Sequence, residues 1–316
     1  MKRWIMVSNR LPLSHDPITG ETRLSSGGLV SALTGIRNNI NKLWIGLDPK
    51  SEQLLSGKEG EIEYQGVAVN EDLYHLYYNG LSNDVLWPLF HYEGGMVHFN
   101  REEWQAYRDV NQLLANSIDS LIQDDQETVW VHDFHLFLLP AMLRKLRPNI
   151  RIGFFLHIPF PSSEIFRQLP VRDEILTGIL GADLIGFHDY SYLRHFCNTI
   201  YSLLGINSDM VSADYQNRRI SLGAFPVSID TASFQEAAKQ PIVERLRRKY
   251  KKNYQVILGV DRLDYIKGLP LKLKAFRELL SANPHLVGKV QLIQIAIPTR
   301  QDVTVYQKLK EEVERA

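Results

Sequence analysis

Short, uninterrupted apolar runs constrain this chain more than any other feature. Trp4 to Ser8 (WIMVS), Thr128 to His132 (TVWVH), Ile152 to His157 (IGFFLH) and Asp183 to Phe187 (DLIGF) show no polar alternation. A strand with one wet face alternates, so runs of this kind fit strands covered on both faces, as in a parallel sheet. The intervening stretches read as helices. In Asn100 to Ile122, Trp104, Tyr107, Val110, Leu114, Ile118 and Leu121 recur at steps of three and four, with Asn100 and Glu103 as a capping pair at the start. The order β-α-β-α predicts a doubly wound α/β fold.

SIDTASFQEAAKQPIVERLRRKYKK shifts to a charged, helical composition, which places a boundary near residue 235. Residues 1–235 then form one α/β domain. Residues 236–316 carry a second unit: strand 254–260, helix 269–281, strand 289–296 and helix 301–316. Roughly 70 residues are few for a Rossmann-type half, so this unit reads as the first part of a larger, here truncated domain. Lys plus Arg equals Asp plus Glu at 36 each, so net charge gives no general pull toward nucleic acid or an anionic membrane. The single cysteine, Cys197, excludes an intrachain disulfide and a thiolate zinc cage. MKRWIMVSNR fits a first core strand better than a signal peptide, and no run approaches the roughly 20 apolar residues of a membrane span. A cytoplasmic protein is expected.

In open α/β sheets ligands bind beyond the carboxyl ends of the strands. Five polar stretches fall at such ends: SNRLP (Ser8 to Pro12), HDFH (His132 to His135), HIPFPSSE (His157 to Glu164), DRLDYIK (Asp261 to Lys267) and PTR (Pro298 to Arg300). Arg10, Arg262, Lys267 and Arg300 supply cations suited to phosphate. Gly27 and Gly28 in SSGGLVSAL open a helix whose N–H groups could approach a phosphate. The plainer alternative for each cation is a surface ion pair, Arg262 with Asp261 or Asp264 for example. His132, Asp133, His135 and His157 are types that suit a metal, but the spacing is loose and no HExxH helix exists; hydrogen-bonded structural histidines are the plainer reading. YYNGLSNDVLWPLFHY (Tyr77 to Tyr92) lies off the regular pattern and reads as an aromatic loop, either buried or sugar-binding. Trp44 in KLWIGL carries the same two readings.

Taken in order, SNRLP, SSGGL, LWIG, YYNG…VLWP, WVHDFHL, GFFLHIPFPSSEIFRQLP, GVDRLDYIKG and QIAIPTR resemble the trehalose-6-phosphate synthases from about residue 3 to the end of the chain. The resemblance implies a GT-B fold, with two Rossmann-like domains facing a cleft. It implies retaining transfer of glucose from UDP-glucose to glucose 6-phosphate, with no metal and no cofactor. It assigns Gly28, His157, Arg262 and Lys267 to the donor, and Arg10, Trp44, Tyr78, Trp87, Asp133 and Arg300 to the acceptor. Arg262, Lys267, His157 and Asp133 would carry the chemistry. An acidic pair that completes the family's donor site would lie beyond Ala316. Partners compatible with the resemblance are a second copy of the chain and a trehalose-phosphate phosphatase, fused or separate. A non-catalytic sugar-phosphate-binding homologue and a transferase with another acceptor remain open alternatives.

Overall fold

The computed structural model describes residues 3–15, 22–24, 28–36, 40–49, 56–250, 254–298 and 304–316. In chain order the strands of the first unit are β1 (Arg3–Arg10), β2 (Leu13–His15), β3 (Thr22–Leu24), β4 (Asn41–Asp48), β5 (Ser56–Glu59), β6 (Ile62–Ala68), β7 (Thr128–His132), β8 (Arg151–Leu156), β9 (Leu184–Phe187), β10 (Ser212–Tyr215) and β11 (Arg218–Ala224). Its helices are α1 (Gly28–Thr34), α2 (Glu71–His75), α3 (Trp87–Phe90), α4 (Arg101–Leu121), α5 (Leu139–Leu146), α6 (Ser163–Phe166), α7 (Arg172–Ile179) and α8 (Tyr190–Leu204). The second unit holds α9 (Thr231–Ala238), α10 (Pro241–Tyr250), β12 (Gln255–Arg262), α11 (Leu269–Ala282), β13 (Val290–Ile297) and α12 (Thr304–Arg315).

Among the described residues nine strands form one sheet, in the order β10-β11-β9-β8-β7-β1-β4-β6-β5. The pairings are parallel except at the two edges, where β10 and β5 run antiparallel to their neighbours. The apolar runs lie where a two-faced burial requires: Ile5, Met6, Val7, Val129, Val131, Ile152 and Ile185 are at most 1% exposed. From β1 the chain steps outward through β4 and β6, then returns to place β7 on the other side of β1. That reversal makes the carboxyl edge around β1 and β7 a topological switch point, where an open α/β sheet splays its connections apart.

Helix α4 buries Trp104, Tyr107, Val110, Leu114 and Ile118, the face its spacing predicts. Asn100 caps it, but its side chain accepts from the Glu102 N–H at 2.8 Å. Glu103 is not its reciprocal partner; that carboxylate lies against Gly80, where an added Cβ would come within 2.6 Å of its Cδ. Burial first, then Asp84 and Glu102, pushes the Glu103 carboxyl upward.

The aromatic stretch after α2 is not a loop. Leu76–Leu86 winds as a wide helical coil with i to i+5 bonding and leads directly into α3. Asn83 Nδ2 reinforces the wide turn by donating to the Tyr78 carbonyl at 2.6 Å. A wide coil has no 3.6-residue stripe, so its helical character is hidden from a periodicity argument.

Contacts divide the chain into Met1–Ile229 and Asp230–Ala316. Residue 235, where composition predicted the boundary, falls within α9. In the second unit β12 and β13 pair in parallel over eight positions from Gln255↔Val290 to Arg262↔Ile297. Its small core joins Leu263, Leu269 and Leu309, with Tyr265, Ala296 and Val313 packed against it. Val256, Leu258, Val260 and Ile297 are exposed. No helix among the described residues is long and apolar enough to cross a membrane.

Candidate functional site

The end of β1 carries a bulge. Val7 pairs with Ile45, but the next pairing is Arg10 with Leu47, so β1 uses one residue more than β4. Such an insertion re-aims the side chains that follow it. Gly46 makes room: a Cβ there would stand 2.3 Å from the Leu11 nitrogen and 2.5 Å from the Arg10 carbonyl carbon. Ser8 locks the bulge by accepting from the Trp44 indole N–H at 2.8 Å while donating to the Arg10 carbonyl at 2.7 Å. Trp44 itself is fully buried among Met6, Leu11, Leu33, Ile62 and Tyr64. Its ring faces core and its N–H is spent on Ser8, so its place here is beneath the edge.

The re-aimed Arg10 is exposed and sits on an aromatic platform. Its Nε donates to the Tyr74 hydroxyl at 2.9 Å, and its guanidinium lies 4.5 Å from the Tyr78 ring centre. Asn9 Nδ2 donates to the same Tyr74 oxygen at 3.1 Å. Tyr78 stacks on Tyr74 at 5.3 Å and on His135 at 5.6 Å, nearly parallel in both cases. Burial opposes the Arg10 charge, but Tyr78 and Tyr74 outweigh it and the pKa is raised. Nε is held from behind, so the two terminal nitrogens remain a fork for an anion.

Beyond β7 and β8 lie the residues of HDFH and HIPF. Asp133 adopts φ 77° and ψ 171°, a region that side chains other than glycine rarely occupy. It is held there in part by its N–H, which donates to the Phe155 carbonyl at 2.8 Å, and by its Oδ1, which accepts from the His157 N–H at 3.2 Å. Strain of about 1–3 kcal/mol is typical of such a conformation. Its effect is to clasp the ends of two adjacent strands. His132, 1% exposed, brings Nδ1 within 3.1 Å of His157 Nε2. His188, at the end of β9, meets His157 edge to face at 5.5 Å. Burial, then His188, lowers the His157 pKa to about 3, and burial, then His157, holds His132 well below the ordinary imidazole value. These imidazoles are neutral at physiological pH.

In the second unit the charge-rich stretch GVDRLDYIKG divides its labour. Gly259 to Arg262 complete β12. Asp261 Oδ2 accepts from Lys272 Nζ at 2.7 Å and Gln294 Nε2 at 3.0 Å, and the Lys272 bond leads in holding its carboxyl below the usual value. Asp264 is fully buried; its side chain accepts from the Ile266 N–H at 3.3 Å and pairs with Arg262 at 3.7 Å. Gly268, at φ 61°, lets the turn pass into α11. The acids thus build the turn, whereas Arg262 and Lys267 remain exposed on it.

Trp87 is 5% exposed and packs on His91 at 4.2 Å and Phe134 at 5.7 Å, behind the aromatic platform. Gly28 opens α1 with nothing within 4 Å of an added Cβ. Gly27 and Arg300 lie outside the described residues. Among the described residues no group of three or more His, Cys, Asp or Glu has an arrangement that could hold a metal ion. Sequence reasoning missed Tyr74 and His188. Both carried a signal: Tyr74 is one helical turn before Tyr78, and His188 follows an apolar run just as His157 does.

A parallel sheet with polar groups gathered at its switch-point edge defines the doubly wound, ligand-binding α/β class. The profile described as Glycosyltransferase family 20 matches residues 2–316, and the chain belongs to that family. Alpha,alpha-trehalose-phosphate synthase [UDP-forming] 1 of Aspergillus niger is 44% identical over 324 residues, covering 98% of this chain and 62% of its own length. The corresponding protein of Candida albicans is 45% identical over 326 residues, covering 98% and 68%. The chain thus spans less than two thirds of the length of several curated relatives. A solved structure from E. coli, described as bound with UDP-2-fluoro glucose, superposes with a TM-score of 0.88 at 34% identity, covering 99% of this chain and 69% of that one. A synthase from Burkholderia xenovorans in complex with glucose-6-phosphate gives 0.87 at 30% identity, covering 99% and 70%. The chain has the α/β architecture of the GT-B glycosyltransferases that these structures represent.

Proposed function

We propose that the protein transfers glucose from UDP-glucose to glucose 6-phosphate with retention, giving α,α-trehalose 6-phosphate and UDP. The observation that carries this reading is the Arg10 fork, held at 2.9 Å by Tyr74 and stacked at 4.5 Å on Tyr78, in a chain aligned over 98% of its length with UDP-forming synthases. A guanidinium so held suits the acceptor phosphate. Tyr78 would share that task, Trp87 would back the acceptor sugar from behind the platform, and Trp44 would act through Ser8 by fixing the bulge. Asp133 would pair with an acceptor hydroxyl, an assignment made by its motif. Arg300 is assigned to the acceptor phosphate by its motif alone.

His157 and Gly28 are assigned to the donor, with Arg262 and Lys267 on its diphosphate. As the bond from the sugar carbon to the diphosphate breaks, the electron pair leaves with UDP and positive charge grows on the ring. Two exposed cations would favour the leaving group by preorganised electrostatics. The acceptor hydroxyl forms the new bond on the same face, and its proton passes to the departing phosphate oxygen, so no protein nucleophile is required. A neutral His157 would orient the donor; with its pKa near 3 it is a weak base. A cytoplasmic setting goes with two charged phosphate-ester substrates. A second copy of the chain and a trehalose-phosphate phosphatase are further proposed partners.

The test is UDP release from UDP-glucose and glucose 6-phosphate in the presence of EDTA, measured on this chain and on the product of the whole gene. UDP release that requires both sugars, with trehalose 6-phosphate formed, is expected from the whole product. Calorimetric binding of glucose 6-phosphate without turnover would point to a sugar-phosphate-binding homologue. Turnover with another phosphorylated acceptor only would reassign the acceptor.

A further inference from the structure

His132 has no part in the chemistry above, yet it is among the most buried polar residues and directly touches a proposed donor contact. It closes β7, and its Nδ1 lies 3.1 Å from Nε2 of His157, the residue after β8. The other nitrogen of His132 is buried and has no hydrogen-bond partner among the described residues. His157 is partly exposed, and no protein partner for its Nδ1 exists among the described residues. Phe155, 4.7 Å away, and His188, 5.5 Å away, border the ring without bonding to it. His188 Nδ1 instead accepts from the Val227 N–H at 3.4 Å.

Two neutral imidazoles in contact share one proton across the 3.1 Å gap, and two arrangements are available. In the first, His157 Nε2–H donates to His132 Nδ1. The His132 proton is then on Nε2, where it is a buried N–H with no acceptor. In the second, His132 Nδ1–H donates to His157 Nε2. The buried His132 Nε2 is then a bare lone pair, and the His157 proton is on Nδ1. Orphaned buried N–H groups are rarer than under-used acceptors. The second arrangement also leaves the only unspent N–H on the partly exposed ring.

We propose that His132 is a positioning residue that fixes His157 as the Nδ1–H tautomer, making it a hydrogen-bond donor aimed at a substrate oxygen. The choice of tautomer stands on the protein alone; the substrate oxygen as recipient rests on the transferase reading. A ring fixed in this way polarises or orients a hydroxyl or phosphate oxygen without carrying charge. It also cannot accept from a sugar hydroxyl at Nδ1, so it selects for an acceptor atom at that point.

Nitrogen-15 histidine spectroscopy of the whole protein, with the His157 signal assigned by its loss in His157→Gln, reads the tautomer directly. The expected native pattern is protonated Nδ1 and bare Nε2. Protonated Nε2 in the native protein would overturn the proposal, whatever the activity. His132→Asn, whose amide nitrogen can stand near the lost Nδ1, should keep the pattern and hold kcat within about 3-fold. His132→Phe keeps the ring shape without the donor. It should release His157 to the other tautomer and lower kcat on the order of 10-fold, with KM for glucose 6-phosphate unchanged. An unchanged tautomer in folded His132→Phe would also overturn the proposal. Because the native spectrum is decisive, a variant that fails to fold does not remove the test.

Discussion

The two units present their polar residues in opposite ways. In residues 1–229, His132 and His157 are shielded and neutral, and the exposed cation Arg10 is propped by phenols. In residues 230–316, Asp261 and Asp264 are spent on the scaffold, so that Arg262 and Lys267 remain charged and exposed on a short turn. The first arrangement favours direction: rings and strand ends are clasped, and charge is largely suppressed. The second favours field: Lys267 and Arg262 stand exposed on a turn where Asp261 is held by Lys272 and Gln294, and buried Asp264 pairs with Arg262 at 3.7 Å. On the transferase reading, orientation of a neutral sugar and stabilisation of a leaving anion would call for these two solutions respectively.

The contrast predicts separable failures. Lys267→Ala should show the largest effect, a fall in kcat of roughly 100- to 1000-fold, comparable to removing one donor from an oxyanion site. Lys267 is exposed, so the thermal midpoint should not move; a large loss of stability would mean that the turn depends on it. Arg10→Ala should come next, raising KM for glucose 6-phosphate about 10- to 100-fold through loss of a charge-assisted contact. KM for UDP-glucose should stay constant. Equal changes in both constants would break the division of roles.

Acid stability should separate the units next. The His157 pKa lies near 3 in the folded protein against an ordinary 6.5, so the unfolded chain takes up the proton first. Stability is therefore full above about 6.5 and falls as the pH drops toward 3, by up to ~1.4 kcal/mol per pH unit for this group. Asp261 behaves differently: its lowered carboxyl adds stability above its ordinary value of 3.8 that disappears only as pH falls through the lower folded value. Urea midpoints against pH should thus fall less steeply between 6.5 and 4 in His157→Gln, with the slope from His132 remaining, whereas Asp261→Asn should alter only the limb below about 4. The smallest effect should come from Asp264→Ala, which removes the bond to the Ile266 N–H together with the 3.7 Å pair to Arg262. It should cost about 1 kcal/mol, read as a lower urea midpoint with the His-dependent limb unchanged.

Legibility from sequence was uneven for reasons visible in particular residues. Strand β7 was bounded correctly at Thr128 to His132, and β8 and β9 within a residue, because runs covered on two faces are apolar throughout. The wide coil Leu76–Leu86 reads as a loop in the sequence because its repeat is not that of an α-helix. Trp44 shows a second limit. Trp44 and Trp87 look alike in sequence, yet one lies at 0% exposure in the core and holds Ser8, while the other backs the aromatic platform at 5%.

By itself the sequence determined the parallel sheet, the residue types at its carboxyl edge and the family, because these depend on local patterning and on motifs read along one chain. Tertiary structure decided which way those residues face. The bulge that turns Arg10 outward exists only where β1 meets Gly46 of β4, 36 residues away. The bond from His132 to His157 spans 25 residues and forms only because β7 and β8 lie side by side. In GVDRLDYIKG the four charges are equivalent on paper. Burial of Asp264 and the approach of Lys272 and Gln294 to Asp261 assign the acids to the fold and leave the bases on the surface. Hydrogen bonds and burial act between neighbours in space, and only the folded chain defines those neighbours.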